Sequence, residues 1–381
     1  MRKRHVGGIL MTLVALSLCL TGCGAAKTAT TTAPITRQQT RTDPDSEYTV
    51  VPSAAASVRL ETYECADFSM TIPSGWQVET GGSGMFYSIR VYDPSEPLNQ
   101  MFVLNKADLL LHGEDGKRAW QSLADMGEGS AAVFAAAPVL YNPSTEGFFQ
   151  QFSEYASFVS AVESSYAGFE FPSFDGFTAT EQFPSTSSLS SVALGDSLLR
   201  ATFTADGRTG EGMFAASVVD FGSIEIADGT VSGYTLNAAD GGYYSVYNIV
   251  AVTAAEGSLI DWEGVLTGCM ATLEFSDSFV SATNQASNEQ VAACAKISQN
   301  FNEAMDGIMS SWEARNTSQD IMSQKQSDAT LGFERVYNTE TGEVYQATSG
   351  FTDTYDGTLL APVTDDNMYA QPVAGRIERL D

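Results

Sequence analysis

The sequence predicts an α+β fold: a mainly antiparallel sheet packed by helices, followed by a long helix and a small β-hairpin tail. Three observations carry this. Short apolar-alternating runs are separated by Gly, Pro and Asp turns, so strands arrive in hairpins. Helical spacing of three and four residues is confined to a few longer windows. The hydrophobic fraction is 43% and the aromatic fraction 10%, enough to bury a sizeable core.

Taken in order, Val58 to Cys65 and Phe68 to Ile72 read as strands, with Phe68, Met70 and Ile72 on one face. Pro73-Ser74-Gly75 is a turn, and Trp76 to Glu79 resumes a strand. The Gly81 to Gly84 loop lacks the Gly-Lys-Ser/Thr of a phosphate loop. Phe86 to Tyr92 and Met101 to Asn105 are two more strands. A helix follows over Gly116 to Met126, with Trp120 and Leu123 sharing a face.

Ser144 to Ser164 reads as a helix that Ser144 caps. Phe148, Phe149, Phe152, Tyr155, Phe158 and Val162 form its aromatic stripe. Such a stripe packs a core or lines a groove for a sugar or peptide, and core is the expectation. Phe174 to Phe183 is a strand candidate. Ser197 to Ala205 and Gly212 to Phe221 flank an Asp206-Gly207 turn. Tyr243 to Ala254 is a long strand, and Leu259 to Leu273 a helix. The second half therefore echoes the first, completing one sandwich or repeating it.

Glu289 to Lys325 is the longest helical stretch, with a stripe from Val291 to Trp312 that is also expected to be buried. Leu331 to Tyr337 and Glu343 to Ala347 form a hairpin across Asn338 to Gly342. The organisation is thus a leader over 1–22, a flexible tether over 23–57, an α+β domain over 58–282, a long helix over 283–328 and a β-hairpin tail over 329–381.

The leader has a basic start, Met1-Arg2-Lys3-Arg4-His5, an apolar run from Ile9 to Leu20, then Leu20-Thr21-Gly22-Cys23. That order is a secretory signal. The run is too short to span about 30 Å of hydrocarbon as a mature helix. The segment resembles a bacterial lipoprotein precursor. The resemblance implies cleavage before Cys23, a diacyl chain on its sulfur, and a place on the outer face of the cell membrane. The tether is rich in Thr and Ala and lacks aromatics until Tyr48. As a coil it reaches about 30 Å.

Phe68-Ser69-Met70-Thr71-Ile72-Pro73-Ser74-Gly75-Trp76, with strands and then a helix, resembles the opening of PsbP-like domains. It implies a sheet sandwiched by helices in a non-enzymatic binding or assembly module. Lys325 to Gly332 and the following Thr-Gly-Glu-Val-Tyr hairpin resemble the C-terminal ends of other bacterial lipoproteins.

The formal net charge is −28, and it becomes −31 when Arg2, Lys3 and Arg4 leave with the signal. So acidic a surface repels nucleic acid and anionic head groups. Acyl chains, rather than charge, would hold the protein at the membrane, and stable anchoring takes two of them. Cys65, Cys269 and Cys294 remain after cleavage. They are too few and too widely spaced for a disulfide framework; one pair involving Cys269 is possible, and buried thiols are the expectation. His112 would be the sole histidine. No Gly-x-Ser-x-Gly elbow accompanies it, so neither a Ser-His triad nor a zinc cluster is supported, and a satisfied or surface histidine is expected. Asp353, Asp356, Asp365 and Asp366 lack the ligand spacing of a calcium loop. No catalytic, cofactor or metal residues are assigned; Cys23 is the one site residue, as lipid attachment. The expected function is binding or assembly with an envelope protein or ligand. The alternatives are a carboxylate-dependent envelope hydrolase and a solute-binding lipoprotein of a transporter.

Overall fold

The computed structural model describes residues 48–184, 189, 191–231, 234–286, 306–307, 321–322, 324–326, 328–329 and 332–379. Helices and antiparallel sheets both occur, as an α+β fold requires. The expected leader, Cys23, Cys294 and nearly all of the expected long helix lie outside the described residues.

The described structure begins at Tyr48, inside the segment expected to be the tether. Strand β1 (Tyr48–Pro52) and the short helix α1 (Ala54–Ser57) occupy that stretch. Strands β2 (Leu60–Glu64) and β3 (Phe68–Pro73) pair antiparallel. Phe68, Met70 and Ile72 are buried on one face, as their alternation predicts.

The centre of the molecule is a seven-stranded sheet. Its first half is the meander β4 (Gln77–Gly81), β5 (Ser88–Asp93) and β6 (Glu96–Leu111). Its second half is β7 (Asp175–Pro184), β8 (Ala193–Ala205), β9 (Arg208–Asp220) and, after the short strands β10 (Glu225–Ile226), β11 (Gly229–Val231), β12 (Tyr234–Leu236) and β13 (Ala239–Asp240), the long β14 (Tyr243–Ala255). The order is β4-β5-β6-β14-β9-β8-β7, antiparallel throughout. The two halves meet where β6 pairs with β14, so they complete one sheet. The β8–β9 hairpin turns at Asp206 (φ 52°) and Gly207 (φ 75°), the left-handed pair that a two-residue turn demands.

The central strands are buried on both faces. Ile249, Val250, Ala251 and Val252 have no exposed surface and alternate between two cores. One core receives Phe102, Phe214 and Ile249, covered by α4 (Thr145–Gln150) and α5 (Phe152–Val162). The other receives Met101, Val103 and Val252, covered by α6 (Leu259–Met270) and by β3, whose outer neighbour is β15 (Glu274–Phe275); helix α7 (Asp277–Ala286) follows.

The expected helix over 144–164 is two. Ser144 does cap the first, accepting from the Gly147 N–H at 3.0 Å. Gln151 (φ −100°, ψ 3°) then kinks the chain, while Gln151 N–H still reaches the Gly147 carbonyl. The aromatic stripe runs across the kink. Phe148, Phe149, Phe152 and Tyr155 are almost wholly buried; Val162, at its end, is 43% exposed. The stripe packs a core rather than lining a groove. The helix expected over 116–126 is α2 (Glu114–Asp125), followed by α3 (Ala131–Ala136).

The tail forms a separate five-stranded sheet, β1-β19-β17-β16-β18, from β16 (Phe333–Asn338), β17 (Val344–Thr348), β18 (Leu360–Pro362) and β19 (Val373–Arg379). The expected hairpin is present as β16–β17. The sheet's edge strand β1 comes from the other end of the chain and pairs along its whole length with Arg379 to Gly375 of β19. On β16, Arg335, without exposed side-chain surface, donates to Asp328 at 2.6 Å, to Gln324 at 2.5 Å and to the Tyr369 carbonyl at 3.1 Å.

Candidate functional site

The ends of β6, β9 and β14 gather the polar groups that the hydrophobic pattern leaves without a role. Between β9 and β14 the chain makes an excursion over residues 221–241. It folds as two small ladders, β10 with β13 and β11 with β12, and forms an arm against α2.

His112 sits at the root of this arm, directly after β6. Its backbone N–H bonds the Gly242 carbonyl at 3.1 Å. Its Nδ1 lies 2.9 Å from Asp240 Oδ2 and its Nε2 lies 3.0 Å from Asp220 Oδ1. Asp220 closes β9, where the arm leaves the sheet, and Asp240 closes β13, where it returns. The imidazole packs against Tyr244, with ring centroids 4.4 Å apart. Gly242 passes beneath it, and a side chain there would run into the ring. Trp120 of α2 donates to the Gly241 carbonyl at 2.9 Å.

The two carboxylates also hold the backbone. Asp220 Oδ1 accepts from Gly222 N–H at 2.7 Å. Asp240 Oδ1 accepts from Ile224 N–H and Gly242 N–H, and its Oδ2 from the Ser223 hydroxyl. Burial pushes the Asp240 carboxyl up, but the His112, Gly242 and Ser223 hydrogen bonds outweigh it and leave it below its ordinary range.

A second polar group adjoins the root. Lys106 Nζ bonds Asp108 Oδ2 at 2.8 Å and lies over the rings of Phe86, Phe221 and Tyr247 at 5.2 to 5.5 Å. The other Asp108 oxygen accepts from the buried Ser245 hydroxyl at 2.5 Å. Phe221 begins the arm and stacks on Tyr243, joining the two groups. The backbone here is irregular. Leu109 (φ 59°) and Asn248 (φ 55°) adopt left-handed conformations, and β14 shifts register against both neighbours. The side-chain amide nitrogens of Asn105 and Asn248 are buried with no hydrogen-bond partner among the described residues. Bulges, strained dihedrals and orphaned donors concentrate at functional sites.

Of the residues singled out in the sequence, His112 is at this site and is satisfied, as expected. Cys65 is half-buried; Cys269 is buried, and burial pushes its thiol up to about 12. Asp365 caps a helical turn through Asn367 N–H, and Asp366 pairs with Lys325 at 2.5 Å. Lys106, Asp108, Asp220, Asp240 and Ser245 carried no recognisable sequence signal beyond lying at strand ends. Both nitrogens of His112 are committed to carboxylates, and Ser245 is committed to Asp108. The arrangement fixes charge in place and presents aromatic faces. No family model, curated protein or solved structure matches the chain.

Proposed function

We propose that this protein is an extracytoplasmic lipoprotein, held to the cell membrane through Cys23, that works by binding an envelope protein or ligand rather than by turning over a substrate. The lipobox and its leader support the anchor. The resemblance of Phe68 to Trp76 to PsbP-like domains supports a binding or assembly module.

The observation that carries the binding reading is the state of His112. A general base needs a nitrogen lone pair facing a nucleophile; here each ring nitrogen faces a carboxylate oxygen. The carboxyls that burial raises are spent on backbone. Glu211 Oε1 accepts from Gly257 and Leu259 N–H, and Asp261 Oδ1 from Val373 N–H. This favours binding over a carboxylate hydrolase. One antiparallel sheet shared by both halves favours it over a two-lobed solute receptor, which is built of repeated βα units.

The strand-end surface around the arm is the proposed binding face. The test is photo-cross-linking on intact cells, with the reactive residue at exposed Glu225 on the arm or at exposed Glu256 beyond the far end of β14. One dominant envelope partner captured from position 225 and not from 256 is expected. Cys23→Ala should move the protein from the membrane to the soluble fraction and abolish capture. Equal capture from both positions, or membrane retention of Cys23→Ala, would refute the face or the anchor respectively.

A further inference from the structure

We propose that His112 is a proton-operated clasp at the root of the 221–241 arm. As an imidazolium it bonds Asp220 and Asp240 together and closes the root; as a neutral ring it can hold only one of them. The argument is independent of the anchor and of any partner.

An ionised carboxylate only accepts hydrogen bonds. A neutral imidazole carries one N–H, so its other nitrogen would turn a lone pair toward a carboxylate oxygen. Distances of 2.9 and 3.0 Å on the two sides therefore require one proton more than a neutral ring and two carboxylates possess. Closing takes that proton from solvent and opening returns it.

The surroundings suit such a device. The ring is 14% exposed but each carboxylate is 43% exposed, so protons exchange without unfolding. The titratable groups that face the ring are Asp220 from β9, Asp240 from β13 and the Tyr244 phenol from β14. Helix α2 approaches with Gly116 against the Asp240 carbonyl, and its Glu114 accepts from the Tyr141 hydroxyl. Lys106, under Phe221, is paired with Asp108. No second cation among these groups can replace the imidazolium, and without it two carboxylates confront each other across the root. The Trp120 bond to Gly241 and the Phe221–Tyr243 stack do not titrate near neutrality. Opening therefore loosens the root and leaves the sheet intact.

The full chain carrying His5→Gln has His112 as its one histidine, so nitrogen NMR of the ring reads it without ambiguity. Two ring N–H groups are expected while the root is closed. As pH rises the ring should become neutral, and with the same midpoint the Gly222, Ile224 and Gly242 amides should lose about tenfold or more of their exchange protection. The Phe214 and Val250 amides of the sheet should not change. Asp220→Asn should lower the midpoint, by removing one of the charges that hold the proton. A neutral ring while the three amides remain protected would overturn the proposal, as would protection that does not change through the ring titration.

Discussion

Glu211 shows how one half-buried acid can serve architecture at an electrostatic cost. It caps the start of α6 through Gly257 and Leu259 N–H. Burial raises its pKa, and neighbouring Glu256 adds to that; the two backbone bonds and Arg200 oppose it without cancelling it. A carboxyl raised on folding binds its proton more tightly in the folded chain. Its contribution to stability is therefore full below the unfolded value and is lost as pH rises through the folded one. Glu211→Gln keeps the accepting oxygen and removes the charge. Relative to the parent, the variant should gain stability between about pH 4 and pH 7, read from urea midpoints at both values. A difference that stays constant across that range would show that the charge carries no penalty.

At the scale of elements, the α4–α5 pair illustrates which half of an aromatic stripe matters. Phe149 has no exposed surface and its ring meets Phe152, Phe174, Phe177 and Phe214 with centroids 4.9 to 6.1 Å apart. Val162 continues the same periodicity but emerges into solvent. Phe149→Ala should cost about 3–5 kcal/mol, because it leaves a cavity in a rigid aromatic cluster. Val162→Ala should stay within about 0.5 kcal/mol. Chemical denaturation of both variants checks the contrast, and similar losses would mean that the stripe is not buried against the sheet as described. The stripe, the Ser144 cap and the Asp206-Gly207 turn are legible in sequence because each depends on residues close along the chain. The kink at Gln151 is not, since no Pro or Gly marks it and the periodicity runs through unbroken.

For the whole molecule, the strongest departure from the linear reading is at the ends. β1 lies in the segment expected to be a flexible tether, yet it completes the sheet of the tail and packs Tyr48 against Phe351 and Tyr355. Deleting residues 1–52 would leave β19 as an unprotected edge. Limited proteolysis of that truncated chain should show cleavage within 373–379 while the seven-stranded sheet resists. Equal resistance of tail and sheet would mean that β1 adds nothing to the tail.

The amino-acid order alone establishes the α+β class, most strand and helix positions and the acidic surface. These follow from local periodicity, turn chemistry and composition, which need no knowledge of distant partners. The closure of the tail by β1, the union of two meanders through β6 and β14, and the meeting of His112 with Asp220 and Asp240 depend on tertiary structure. Those groups stand 108 and 128 residues apart along the chain. Hydrogen bonding and charge act over a few ångströms of space, so only the folded backbone decides which of 47 acidic residues His112 will meet.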